Sequence, residues 1–233
     1  MRKPRRLSPE ELAPYVLELP GARRPGAEVS TAPAPGSRLP APEPIDWRQL
    51  FGNDHPVEIE VGFGKGLFLL NAGLSRPDRN FFGIEIARKY QLYAASRVAL
   101  RKLANVKTCC ADAKVVLRDY VPAGSVEAVH VYFPDPWWKK RHKKRLLFTQ
   151  DFAESVLKVL APGGRLHFAS DVANYFVMVT GMLTGMPGLA RLPPPDAAEP
   201  RHDLDYLTNF ERKFRKEGKP IYRTLYGKAA RPG

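Results

Sequence analysis

Between Val57 and Ala169, short apolar runs alternate with longer stretches whose apolar residues recur at helical spacing. Val57 to Val61 predicts a strand that ends in the turn Gly62-Phe63-Gly64-Lys65-Gly66, with a helix opening near Leu67. Asn80 to Ile86 predicts a second strand, Arg88 to Leu103 an amphipathic helix, and Val106 to Cys110 a third strand ending at Ala111-Asp112. A short helix over Ala113 to Tyr120 and a fourth strand over Val126 to Phe133 follow. Thr149 to Leu160 predicts a helix that stops at Pro162-Gly163-Gly164, and Arg165 to Ala169 a fifth strand ending at Ser170-Asp171. Asn174 to Leu183 then predicts a helix, Leu189 to Asp205 a proline-rich loop, Leu207 to Lys216 a helix, and Ile221 to Tyr226 a last strand. Strand and helix in regular alternation predict an α/β fold, a mostly parallel twisted sheet with helices on both faces.

Residues 1–46 break this pattern, holding ten of the 23 prolines and few large apolar side chains. They read as a basic, largely flexible arm ahead of a single domain over residues 47–233. Within the arm, Ser8-Pro9-Glu10-Glu11 carries a capping-box pattern and predicts a short helix from Pro9. Asp46 to Phe51 reads as a short lead-in to the core. With 233 residues and 44% apolar composition the chain can bury one full core.

A net charge of +13 favours nucleic acid as partner. A membrane is disfavoured, because no apolar stretch approaches the roughly 20 residues of a spanning helix. The two cysteines, Cys109 and Cys110, are sequence neighbours and make a poor disulfide, so they read as small buried side chains in a reducing cytoplasm. No cysteine or histidine spacing suggests a metal site. Monomer and homodimer are both compatible with the sequence.

Candidate chemistry sits at the ends of the strands. In an open α/β sheet, ligands bind outside the carboxyl ends of the strands. Glu60, Glu85, Asp112, Asp135 and Asp171 fall at or near five such ends. One such acid is as well explained as a helix cap; five on successive strands would ring one crevice. The turn carries GxGxG, with Leu67 where a dinucleotide fingerprint has its last glycine. Gly62 and Gly64 are there for close approach of a ligand to the backbone. Glu85 is placed to chelate two ribose hydroxyls, Asp112 to accept from an adenine exocyclic amine, and Glu60 to face an ammonium group. These demands fit S-adenosylmethionine better than the phosphate-bearing NAD.

The fourth strand runs into Phe133-Pro134-Asp135-Pro136-Trp137-Trp138, then Lys139-Lys140-Arg141-His142-Lys143-Lys144-Arg145. Two prolines hold Asp135 in a stiff turn. Two indoles and six permanent cations beside it read as a place where an anionic polymer meets a chemical centre. Trp137 reads either as a base-stacking ring or as a buried anchor of the loop.

Glu60 to Gly66, Gly83-Ile84-Glu85, Phe133 to Trp137 with its basic tail, and Thr208-Asn209-Phe210-Glu211 occur in an order that resembles the bacterial tRNA (guanine-N7-)-methyltransferase family. The resemblance spans roughly residues 56–226. Trp138 departs from it, standing where a histidine or another polar residue is expected, and the proline-rich arm lies outside it. It implies a Rossmann-like, S-adenosylmethionine-dependent methyltransferase that acts on N7 of a guanosine in the tRNA variable loop. Carried over by motif, Glu60, Gly62, Gly64, Glu85, Asp112 and Asp135 would bind the cofactor. Lys139, Asp171, Thr208, Asn209, Phe210 and Glu211 would bind the substrate. Arg141, His142, Lys143, Lys144, Arg145 and Leu146 would bind the RNA.

Guanine N7 has an exposed lone pair, so such a reaction needs alignment more than proton abstraction. Asp135 is the first choice for the carboxylate that orients the base, and Asp171 the second. Two alternatives stand beside this reading, a methyltransferase of another substrate and a non-catalytic RNA-binding module on the same fold.

Overall fold

The structure, a computed structural model, describes residues 7–22, 42–136, 146–193 and 208–230. Strand β1 (Val57–Val61) is buried along its whole length, with its side chains divided between two faces. Val57, Ile59 and Val61 join one apolar cluster; Glu58 and Glu60 point to the opposite side. Six more strands complete one sheet: β2 (Asn80–Glu85), β3 (Val106–Cys110), β4 (Val126–Tyr132), β5 (Leu160–Ser170), β6 (Leu189–Leu192) and β7 (Tyr222–Lys228). Their order is β3-β2-β1-β4-β5-β7-β6. The first five strands pair in parallel, and β7 lies antiparallel between β5 and β6. The order reverses between β1 and β4, which makes their carboxyl ends the switch point of the sheet.

Helices cover both faces. On one, α3 (Leu67–Ser75) and α4 (Arg88–Leu100) bury Leu69, Leu70, Ala94 and Val98 against Phe81 and Tyr132. On the other, α6 (Gln150–Val159) and α7 (Ala173–Thr184) pack Phe152 and Val179 against Phe168 and Val131. There Phe148 stands edge-on to Phe152 at 5.2 Å and to Phe168 at 4.9 Å. Each buried ring is worth about 1.5–3 kcal/mol against exposure. The Thr149 hydroxyl accepts from the Phe152 amide and starts α6.

Two predicted features are corrected. Leu189–Leu192 is strand β6, not loop, and pairs with β7 from Leu189↔Lys228 to Leu192↔Leu225. Four residues beside a proline run carry too short a period to be read. Strand β5 begins at Leu160 rather than Arg165, and a register shift between the Leu160 and Arg165 pairings absorbs Pro162-Gly163-Gly164.

Upstream, α1 (Pro9–Leu12) is capped reciprocally by Ser8 and Glu11. Residues 7–22 then lie against β3. Val16 bridges Thr108 in parallel, the Leu17 amide donates to the Thr108 carbonyl at 2.8 Å, and the Asp112 amide donates to the Ala22 carbonyl at 2.7 Å. Residues 42–46 lead into α2 (Trp47–Phe51), with the Ile45 amide donating to the Tyr120 carbonyl at 2.8 Å. Lys107 Nζ donates to the Pro14 carbonyl at 2.6 Å.

Candidate active site at the strand carboxyl ends

The turn after β1 is built on left-handed glycines. Gly64 has φ +54°, and its amide donates to Glu85 Oε2 at 2.9 Å. The Ala87 amide donates to Glu85 Oε1, also at 2.9 Å. Glu85, at the end of β2, is therefore buried and shared between the turn and its own loop. Gly66 has φ +69°, and a Cβ there would lie 2.7 Å from Ala94 Cβ. Helix α4 thus presses on the turn where only glycine fits.

Glu60 stands behind this turn with 3% of its surface exposed. Its carboxyl is supported by the Leu69 backbone amide, while Oε2 has no hydrogen-bond partner. Burial, and then the Glu85 carboxylate, push its pKa well above the ordinary value. A buried carboxyl with one uncommitted oxygen, beside a second carboxylate, can accept from a cationic donor.

Two residues earlier on the same face, Glu58 is fully engaged. Its Oε1 accepts from Arg76 Nη1 at 2.5 Å, and its Oε2 lies 2.8 Å from His130 Nε2. His130 Nδ1 lies 2.8 Å from the Tyr132 hydroxyl. Both ring nitrogens of His130 are satisfied when Tyr132 donates to Nδ1 and Nε2–H donates to Glu58. Burial opposes ionisation of Glu58, but His130 and Arg76 outweigh it and hold its pKa down to about 2. Burial holds His130 below its usual value. Burial, then Glu60 and Glu58, push Tyr132 well up, so its hydroxyl lies within electrostatic reach of Glu60.

Asp135 lies just past β4 and is exposed. Phe133, which precedes Pro134, leaves the strand with φ +53°, a left-handed conformation that costs a bulky residue energy. The Phe133 amide donates to the Ala169 carbonyl at 2.8 Å. Its ring is held by Phe214 at 5.3 Å and Phe210 at 6.3 Å, both from α8 (Asn209–Lys216). Burial pushes the Tyr175 phenol up to about 12; the Phe148 backbone opposes this and the Asp135 charge adds to it.

The remaining predicted residues divide. Asp112 caps the helical turn α5 (Ala113–Val115), its Oδ1 accepting from the Lys114 amide at 3.0 Å. Asp171 is half-buried after β5, where its charge helps raise the Lys219 pKa. The Thr208 hydroxyl caps α8 by accepting from the Glu211 amide at 3.0 Å. Glu211 is buried and accepts from Arg223 Nη2 at 2.6 Å and Arg215 Nε at 2.9 Å. Asn209 Oδ1 accepts from Arg212 Nη2 at 3.4 Å, and Phe210 is exposed. Leu146 is half-buried against the core beside Leu147. Lys139, Arg141, His142, Lys143, Lys144 and Arg145 lie outside the described residues, as do Trp137 and Trp138.

Thus the structure bonds Gly64 to Glu85, sets Glu60 within the influence of the Glu85 charge, and ties α8 to the Asp135 turn through Phe133. The Arg76–Glu58–His130–Tyr132 chain was missed. Its one visible signal is a second acid, Glu58, in a strand otherwise predicted to be buried. Among the described residues no group of three or more His, Cys, Asp or Glu side chains could hold a metal, and no helix is long and apolar enough to cross a membrane. Cys109 is buried, and burial first raises its thiol pKa, which leaves it a poor nucleophile.

Comparison with known proteins agrees with this geometry. Residues 54–224 match a family model described as "Putative methyltransferase". The chain is 46% identical to a tRNA (guanine-N(7)-)-methyltransferase of Rhodopirellula baltica, over 80% of this chain and 71% of that protein. It is 38% identical to one from Alkalilimnicola ehrlichii, over 84% and 82%. Its fold is similar to that of a 16S rRNA (adenine(1408)-N(1))-methyltransferase variant from Catenulisporales acidiphilia, solved with its cosubstrate SAM. There the TM-score is 0.53 and the identity 15%, with 80% of this chain and 92% of that chain covered. With a mostly parallel sheet whose switch point lies at a glycine turn and buried acids, and with this similarity to those enzymes, the chain belongs to the tRNA (guanine-N(7)-)-methyltransferase family.

Proposed function

We propose that this protein transfers a methyl group from S-adenosylmethionine to N7 of a guanosine in the tRNA variable loop, giving 7-methylguanosine, in the cytoplasm. The observation that carries the reading is the partnerless Glu60 Oε2 beside the Glu85-tied glycine turn. A sulfonium cofactor with an amino-acid ammonium group suits this pair, whereas a pyrophosphate would be repelled by it.

When bound, the cofactor supplies an electrophilic methyl group on sulfur. Glu60 would release its proton to solvent and hold the ammonium as a carboxylate, which gives its unpaired oxygen a partner. Glu85, held by two backbone amides, would present its remaining lone pairs to the ribose hydroxyls. Asp112 would accept from the adenine amine. The methyl carbon would be supplied to the N7 lone pair, with sulfur as the leaving group that keeps the C–S electron pair. No proton need leave N7. Asp135, on its clamped turn, accepts from the guanine N1–H and N2–H₂ edge and offsets the positive charge that develops on the ring. Asp171 and α8 border the base, and the cations at 139–145 meet the phosphates.

The test is mass spectrometry of nucleosides from tRNA incubated with the protein and isotope-labelled cofactor. Labelled 7-methylguanosine is expected. Label absent from tRNA, or on another base atom, overturns the reading.

A further inference from the structure

Helix α4 contains Arg88, Lys89 and Arg97 and no acid, and Arg101 follows it directly. Its buried face, with Gln91, Ala94, Ala95 and Val98, is pressed on the glycine turn. The adjoining face carries Tyr90, Tyr93, Arg97 and Arg101 at steps of three and four residues, one line along the helix. Tyr90 is 41% exposed and Tyr93 46%.

Arg97 is fixed on this face. Its Nη1 donates to the Lys65 carbonyl, inside the turn, at 3.0 Å, and its guanidinium lies 5.7 Å from the Tyr93 ring centre. Arg101 Nη1 donates to the Arg97 carbonyl at 3.2 Å. Elsewhere arginines sit on carboxylates: Arg48 on Asp54, Arg88 on Glu18, Arg118 on Asp119. Among the described residues, Arg97 and Arg101 have no such partner. Burial, and then the charges of Arg101 and of Arg212 on α8, oppose the Arg97 charge despite a favourable contribution from Tyr93. Like charges are thus gathered at the rim of the turn, with four of the five donors of Arg97 and of Arg101 outside these bonds.

We propose that the Tyr90–Arg101 face of α4, with Lys65 and Arg212 beside it, is a second RNA-binding surface that grips phosphates flanking the target nucleotide, in addition to the cation run that the sequence places at 139–145. Phosphate oxygens relieve the mutual repulsion of the arginines and take up their donors. The two exposed tyrosine rings suit bases or riboses of a single-stranded loop, which stack on aromatic side chains. This combination favours RNA over an acidic protein surface. Because Lys65 belongs to the turn, a loop held here stays next to the methyl donor. The inference rests on the proposed tRNA substrate.

The test compares binding of an unmodified tRNA transcript to the full chain and three variants across a salt titration, with cofactor affinity followed by calorimetry. R97Q/R101Q is expected to weaken tRNA binding roughly fivefold to tenfold. The slope of log K against log salt should drop by about 1.5, from two contacts at roughly 0.7–0.9 each. Cofactor affinity should hold. R97K, which keeps the charge, should keep most of the slope, and R191Q, on the distant edge strand β6, should match wild type. A double variant with wild-type tRNA affinity and slope overturns the inference. So does one that loses cofactor affinity while R97K retains it, which assigns both arginines to support of the turn. If wild type methylates no tRNA, the substrate reading fails by itself; if it binds none either, both fail.

Discussion

Glu58 and Glu60 lie two residues apart on one face of one strand, both nearly fully buried, and the fold treats them in opposite ways. Glu58 has a partner for each oxygen and is held ionised, its pKa about 2. Glu60 has one oxygen with no partner and is driven toward its neutral form. Burying a carboxylate is costly everywhere, so the contrast lies in what has been provided against that cost. At Glu58 the protein provides it internally, in Arg76 and His130. At Glu60 Oε2 is left without a partner among the described residues, and it is this difference that the proposed function assigns to a ligand.

The largest expected effect comes from breaking the satisfied member. Glu58→Ala strands Arg76 and His130, and loss of a buried partner of this kind costs about 3–5 kcal/mol. Urea denaturation should show this, with cofactor binding intact wherever the variant stays folded. Unchanged stability would mean that the Glu58 chain is idle.

Asp135→Asn keeps the shape of the turn and removes the charge proposed to face the base. Single-turnover methyl transfer is expected to fall about 10²- to 10³-fold, the scale seen when one transition-state contact is lost. tRNA affinity should stay near wild type. Wild-type turnover would leave Asp135 only a turn residue.

Glu60→Gln should reverse the Glu58 outcome, retaining or raising stability while cofactor affinity falls by about 1.5–3 kcal/mol, as for a lost charged hydrogen bond. Glu85→Ala should cost cofactor affinity on the same scale. Calorimetry of the folded variants checks both, and undiminished affinity removes the residue from the site.

The gentlest probe is pH. Glu58 has a depressed folded pKa, so its stabilisation is present above the unfolded value of 4.5 and is lost as pH falls toward about 2. His130 is depressed from 6.5, so the unfolded chain takes up its proton first and stability declines as pH drops below 6.5. Glu60 is raised, so its contribution is full below 4.5 and is lost as pH climbs through its folded value. Glu60→Gln should therefore flatten the loss on the neutral side and leave the acid limb unchanged. Melting temperature against pH reads both limbs. If the variant's curve parallels wild type throughout, Glu60 does not titrate as described.

Much of the frame was readable from local pattern. Strands β1 and β3 end where their apolar runs end, and the glycine turn falls where GxGxG stands. Glu60 and Glu85 stood out because each falls at or near the carboxyl end of a strand. The partners of Glu58 were not: His130 lies 72 positions away, and only sheet register brings the two together. The Phe133 conformation was equally hidden, because the rings that hold it belong to a helix near the other end of the chain. Thr208 caps α8 and Glu211 lies in its first turn. The structure shows their side chains closing a cap and an ion-pair cluster, with Phe210 on the surface.

The two outermost strands carry a consequence for self-association. A free strand edge is a template on which another chain can extend the sheet. At one margin, residues 16–17 occupy the Thr108 position of β3, and at the other β6 has only four residues. Among the described residues neither margin offers a long row of open backbone donors and acceptors. Copies of this chain that meet in a crowded solution find only a short template there on which to extend the sheet.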